Sequence, residues 1–160
     1  MTWPVRPAIR AELPALARVW HDAWMETHAA HVPPELPPLR SVESMETRLA
    51  NHFVNVRTLG PEGAPLGVCV TKDDEMHQLF ITPDARGSGA AQALLGDAEA
   101  RILAAGHALA WLDVLIENPR AIWFYEKCGW RRRGIEITPL ETLGEPFPLK
   151  TLVMEKQLTP

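Results

Sequence analysis

Apolar side chains early in the chain fall at Leu13, Leu16, Ala17, Trp20, Ala23 and Trp24, a helical spacing that predicts one helix over residues 11–28. A short alternating run over residues 5–9 precedes it as a first strand, and Met45, Leu49 and Phe53 mark a second helix over 42–53. Between the helices Pro33-Pro34 and Pro37-Pro38 make a connection that cannot stay helical, because proline removes a hydrogen-bond donor and restrains its predecessor. Strand-like runs follow at 55–59, 66–71 and 75–81, separated by Gly60-Pro61-Glu62-Gly63 and Lys72-Asp73-Asp74, which predicts an antiparallel meander. The period then returns to helical. Ala91, Leu94, Leu95, Ala98, Ile102 and Ala105 form one face, ended by Gly106 as a C-terminal cap. Residues 108–115 read as an apolar strand, Pro119 opens a short helix that Gly129 ends, and 130–137 and 149–156 close the chain as strands. The order β-α-α-β-β-β-α-β-α-β-β predicts an α/β fold with a mixed, mostly antiparallel sheet of six to seven strands and helices on both faces.

The 160 residues fit one domain, with no internal repeat and no polar linker long enough to divide two cores. With 16 basic against 20 acidic side chains, the formal net charge is -4, which argues against a nucleic-acid partner. No apolar run reaches the length of a membrane span, and residues 1–6 do not resemble a secretory leader. Two cysteines, Cys69 and Cys128, are too few for a disulfide framework, so a reducing cytoplasm is the expected compartment. His28, His31 and Glu35 lie at the edge of the proline-containing loop without a matching ligand cluster, and no metal is expected. Cys128 has no accompanying pattern of a cysteine enzyme and reads as packing. Arg131-Arg132-Arg133 alternate faces in a strand, so they cannot present one flat basic surface.

The segment that carries chemistry is Leu79-Phe80-Ile81-Thr82-Pro83-Asp84-Ala85-Arg86-Gly87-Ser88-Gly89-Ala90-Ala91-Gln92. A strand enters a loop with two glycines, and the loop runs straight into a helix. Successive amides then converge beside the positive end of the helix dipole, which makes an anion site. Ala90 and Ala91 after Gly89 exclude a P-loop, which needs lysine and a hydroxyl there, and Gln92 excludes a dinucleotide fingerprint, which needs glycine.

Arg86-x-x-Gly89-x-Ala91, preceded by Leu79-Phe80-Ile81-x-Pro83, resembles motif A of the GNAT superfamily of N-acetyltransferases. Trp111-Leu112-Asp113-Val114 followed by Asn118-x-x-Ala121-x-x-Phe124-Tyr125-x-x-x-Gly129-Trp130 is similar to its motif B. The resemblance covers residues 75–134 closely and the flanking elements in order alone. It implies acetyl-CoA as cosubstrate, laid in a V-shaped gap where the fourth and fifth strands part. The pantetheine arm would pair with the backbone of Leu79 and Ile81 and contact Asn118. The diphosphate would rest on Arg86, Gly87, Ser88, Gly89, Ala90, Ala91 and Gln92. Alanine stands at position 91, where the superfamily more often has glycine.

Attack on a thioester needs a free amine, and alkyl ammonium groups titrate near ~10.4, so a base must take a proton. The resemblance places a base at Glu75; Asp113 and His77 are the alternatives. Strand alternation would put Glu75, His77, Leu79 and Ile81 on one face. Tyr125, the one tyrosine, stands where the family places the acid that protonates the thiolate, and the Phe80 amide is expected to polarise the carbonyl. Trp24, His28, His31 and His77 are candidates to line the acceptor site, which should form from the first two helices and the loops 28–39 and 138–148. The acceptor is a primary amine, as a small molecule or on a peptide, and its identity stays open. A non-catalytic acyl-CoA sensor on the same fold is the alternative. Family members often dimerise, a point on which this sequence is silent.

Overall fold

A computed structural model describes residues 3–159; Met1, Thr2 and Pro160 lie outside it. The first strand, β1 (Arg6–Pro7), is shorter than the pattern predicts. Glu12 ends it. Its carboxylate accepts hydrogen bonds from Arg6 Nη1 at 2.9 Å and Nη2 at 2.7 Å, and from the Ile9 amide at 3.2 Å, turning the chain toward α1 (Leu13–His28). Helix α2 (Val42–Asn51) begins at Ser41, whose side chain accepts from the Ser44 amide, and it stops two residues before the predicted end. Strands β2 (Val56–Leu59), β3 (Gly67–Lys72) and β4 (Glu75–Ile81) form the expected meander. Helix α3 (Ala90–Ala104), strand β5 (Leu109–Val114) and helix α4 (Pro119–Lys127) follow. Strands β6 (Arg131–Leu140) and β7 (Phe147–Gln157) run longer than predicted, which carries the connection between them back toward α2. None of the described helices is long and apolar enough to cross a membrane.

The seven strands lie in the order β1-β2-β3-β4-β5-β7-β6, with β4 and β5 as the parallel pair. Leu16, Trp20, Met45 and Leu49 of α1 and α2 pack with Val68 and Val70 on one face. Leu94, Leu95, Ala98 and Ile102 of α3, with Ile122 and Tyr125 of α4, pack with Cys69, Leu112 and Met154 on the other. Each fully buried leucine in these layers contributes about 1.5–3 kcal/mol. Arg131, Arg132 and Arg133 each meet a separate carboxylate (Glu155, Glu126 and Glu136), consistent with three different directions along a strand.

Two local features shape the gap between β4 and β5. The strands are joined at one end, where Glu75 pairs with Trp111, the Trp111 amide donates to Asp74 O at 3.2 Å and the indole Nε1 donates to Asp74 Oδ1 at 3.0 Å. Beyond that pair they separate. The second feature is a bulge: Val70 pairs with Gln78 but Thr71 pairs with Met76, leaving His77 as the extra residue. The bulge corrects the expected alternation. Glu75 and His77 hydrogen-bond to each other, whereas Leu79 and Ile81 pack toward α3 with Met76, and Phe80 packs toward α1.

The phase of the β3–β4 ladder corrects a further expectation. Thr82 N–H donates to Leu66 O, so Val68 and Phe80, two residues along each strand, form the next hydrogen-bonded pair. The Phe80 amide is therefore consumed inside the sheet. The amides and carbonyls of Leu79 and Ile81 point the other way, into the gap.

Gly67 sets how closely α3 approaches β3. A Cβ there would lie 2.8 Å from Leu94 Cδ1, 3.0 Å from Ile81 Cγ2 and 3.2 Å from Phe80 O. Gly67→Ala is expected to lower the unfolding free energy by about 1–3 kcal/mol, measured by urea denaturation with an unchanged slope. A change inside about 0.5 kcal/mol would show that α3 has room to spare there.

Candidate active site

Two cavities meet where β4 and β5 part. The larger, of about 460 Å³, runs from that gap to the start of α3. Gly87 (φ +73°) and Gly89 (φ +89°) hold left-handed conformations that other residues resist, and so turn the loop into the helix. The Ser88 hydroxyl caps locally, donating to Ala85 O and accepting from the Ala90 amide at 3.3 Å, while Ser88 O accepts from the Trp3 indole at 2.8 Å. Ser88 is thus tied into the loop, and its side chain does not line the cavity. Among the described residues, the amides of Gly87, Gly89, Ala91 and Gln92 enter none of the turn or cap hydrogen bonds. Arg86, Arg120 and Lys127 add positive charge to the walls, with Arg86 braced by Glu26 at 2.9 Å.

The smaller cavity, of about 110 Å³, lies on the α1 and α2 side and is bounded by Trp24, His28, Arg40, His77, Asp113 and Tyr125. His28 stacks on Trp24 with ring centroids 5.2 Å apart, and burial, followed by the charge of Arg40, pushes its imidazole down to about 4. His28 is neutral near pH 7. His31 is exposed and borders neither cavity. Burial, then the charge of Glu75, pushes the Asp113 carboxyl up to about 6.

Tyr125 borders both cavities, as do Leu79, Phe80, Asn118 and Ala121. Its ring is buried, its hydroxyl has no hydrogen-bond partner among the described residues, and burial pushes the phenol above its ordinary range. Asn118 opens α4: its Oδ1 accepts from the Ala121 amide at 3.3 Å, which fixes the side chain at the junction.

Glu75 borders neither cavity. Its Oε2 lies 3.2 Å from His77 Nδ1, and His77 faces the smaller cavity in its place. Behind His77 stands Glu141, from the β6–β7 connection. That carboxylate accepts from Arg48 Nε at 2.9 Å and lies 2.7 Å from His52 Nε2 and 3.5 Å from His77 Nε2. Burial opposes charge on His77, but hydrogen bonds and charges from Glu141 and Glu75 outweigh it and push the imidazole up to about 9. His77 is therefore a cation near neutrality and has no lone pair free to act as a base. Burial alone would raise Glu141, yet the bonds from His52, His77 and Arg48 hold it well below the usual carboxylate range.

Sequence reasoning did not single out Arg40, Arg48, His52 or Glu141. Arg48 carried one usable signal, a charge on the buried stripe of α2 beside Met45 and Leu49. The others sit at loop ends with no motif.

Residues 16–130 match the Acetyltransferase (GNAT) family. The chain is 36% identical over 130 residues to a peptidyl-lysine N-acetyltransferase, YjaB, of Salmonella typhimurium, spanning 71% of this chain and 84% of that protein. Among solved structures it resembles a GCN5-related N-acetyltransferase from Rhodopseudomonas palustris, with a TM-score of 0.77 at 20% identity over 99% of this chain and 97% of that one. It also resembles YncA from Salmonella typhimurium, solved with acetyl-CoA, with a TM-score of 0.73 at 16% identity over 100% and 96% of the two chains. The two cavities, the amides left open at the start of α3 and the phenol at their junction occupy the segments that carry both motifs, and the chain belongs to the GNAT acetyltransferase family.

Proposed function

We propose that this chain moves the acetyl group of acetyl-CoA to a primary amine by direct attack, with the thioester at the junction of the two cavities. The observation that carries this reading is Tyr125, which borders both. The diphosphate rests on the open amides of Gly87, Gly89, Ala91 and Gln92, where the α3 dipole and the basic walls favour negative charge. The pantetheine arm completes the unpaired edge of β4 at Leu79 and Ile81. Leu79, which borders both cavities, supplies the amide that polarises the thioester carbonyl, the role expected of Phe80.

The amine enters from the smaller cavity. Its nitrogen bonds to the carbonyl carbon, its proton passes to Asp113, the carbon–sulfur bond breaks, and the departing thiolate takes the phenol proton of Tyr125. A carboxylate at about 6 is a stronger base than an ordinary aspartate and is still ionised at neutral pH. Glu75 serves by raising Asp113 and by holding His77, and so acts behind the cavity wall. Burial raises the phenol and a neighbouring thiol in the same direction, so their match as proton donor and acceptor survives desolvation. The name of the Salmonella relative brings a peptide lysine into the set of acceptors, beside small amines.

The test is thiol release from acetyl-CoA over a panel of amines. Release that depends on the amine supports transfer; tight CoA binding with no release from any amine marks a non-catalytic acyl-CoA sensor. Tyr125→Phe is expected to lower kcat by about 10²-fold or more while leaving CoA affinity within about twofold; equal turnover removes the acid role. The base form of Asp113 exists above its own midpoint, so the wild-type to Asp113→Asn ratio of kcat/KM should rise with pH through about 6. A ratio flat across that range removes Asp113 as the proton acceptor.

A further inference from the structure

The smaller cavity contains a buried cation that the transfer chemistry leaves idle. Arg40 ends the proline-containing loop before α2 and is 3% exposed. Its guanidinium carries five N–H donors, yet the recorded bond is a single one, from Nη1 to the main-chain oxygen of Glu141. Nε is buried with no partner, and Nη2 donates to no described residue. Glu141 and Asp113 attract it across the cavity wall, but neither carboxylate is hydrogen-bonded to it. Burial, then the like charge of Arg48, lowers its hold on a proton, and the Glu141 carboxylate is already engaged by Arg48 and His52. Trp24 offers a ring face at 5.9 Å, a weak contact for a desolvated charge.

A buried guanidinium with unused donors calls for a planar anion that accepts two parallel bonds, and a carboxylate has that shape. Asp113 borders the same cavity with the opposite sign, at the end that meets Tyr125. A space of about 110 Å³ is well below the ~300–1,000 Å³ of pockets that take drug-sized ligands, so its occupant is compact. The methylenes of a peptide lysine would leave the Arg40 donors buried and unsatisfied. Neutral His28 on Trp24, the side chains of Leu140 and Leu149, and the His77 cation bound the rest of the space, and His77 is already held by Glu75 and Glu141.

Resting on the acceptor cavity identified above, we propose that the acceptor is a free α-amino acid with a small side chain. Its carboxylate is held by the Arg40 fork and its amine is presented to Asp113 and the thioester. The amine and carboxylate of one small molecule thus meet Asp113 and Arg40, the two charges of the cavity that no ion pair engages.

The experiment compares matched acceptors on the intact protein with acetyl-CoA: L-alanine against ethylamine, L-serine against ethanolamine, and an N-blocked, C-amidated lysine peptide. The expected result is a kcat/KM at least about 10²-fold higher for each amino acid than for its decarboxylated partner or the peptide. Arg40→Gln should erase that ratio by raising KM for the amino acids, with the CoA dissociation constant unchanged, and Arg40→Lys should restore part of it. If neither variant folds, the wild-type ratios decide the question. Equal or faster acetylation of the simple amines or the peptide overturns the carboxylate subsite and leaves acetyl transfer standing. CoA binding with no thiol release from any acceptor overturns both.

Discussion

The arrangement depends on a pair of parallel strands tied at one end only. Trp111 anchors β5 to the β3–β4 turn through two hydrogen bonds to Asp74, and one residue pair later the ladder stops. An edge of unpaired amides and carbonyls inside a sheet is normally a liability. Here it faces a cavity, and the ladder phase on β3 decides that Leu79 and Ile81, not Phe80, leave their backbone groups free. The open edge, the amides at the start of α3 and Tyr125 then border one cavity.

Charge is distributed around this gap in two distinct ways. On the α2 side, Glu75, His77, Glu141, His52 and Arg48 are hydrogen-bonded to one another, which holds His77 as a cation and Glu141 as an anion. Nearer the junction, Asp113 and Arg40 are buried beside a cavity without such partners, and both are shifted toward their neutral forms. Carboxylates and imidazoles bonded to one another fix the wall; charged groups that border the cavity outside that network are available to a ligand. That difference is the basis for proposing positioning roles for Glu75 and His77 and the proton acceptor at Asp113, although all three lie close together on adjacent strands.

The element order and most boundaries could be read in the sequence, since apolar periodicity, the prolines and the glycine turns all act locally. The loop that leads into α3 was legible for the same reason: Gly87 and Gly89 dictate its conformation. The side-chain faces of β4 were not, because the bulge at His77 arises from pairing with β3 and leaves no mark in the alternation of 75–81. The polar wall of the smaller cavity was equally hidden. Arg40, His52 and Glu141 come from three separated segments, and only the lengthened β6–β7 hairpin brings the last of them under β4. His31, chosen for its closeness to His28 in sequence, lies on the outside of the turn that separates them.

The central claim is that the junction of the two cavities receives a thioester beside Tyr125. A crystal structure of the protein with coenzyme A tests it most directly. The account predicts the diphosphate on the amides from Gly87 to Gln92, the pantetheine arm beside Leu79 and Ile81, and the sulfur within hydrogen-bonding reach of the Tyr125 hydroxyl. A cofactor bound with its sulfur remote from that phenol, or with its diphosphate away from the start of α3, would contradict it.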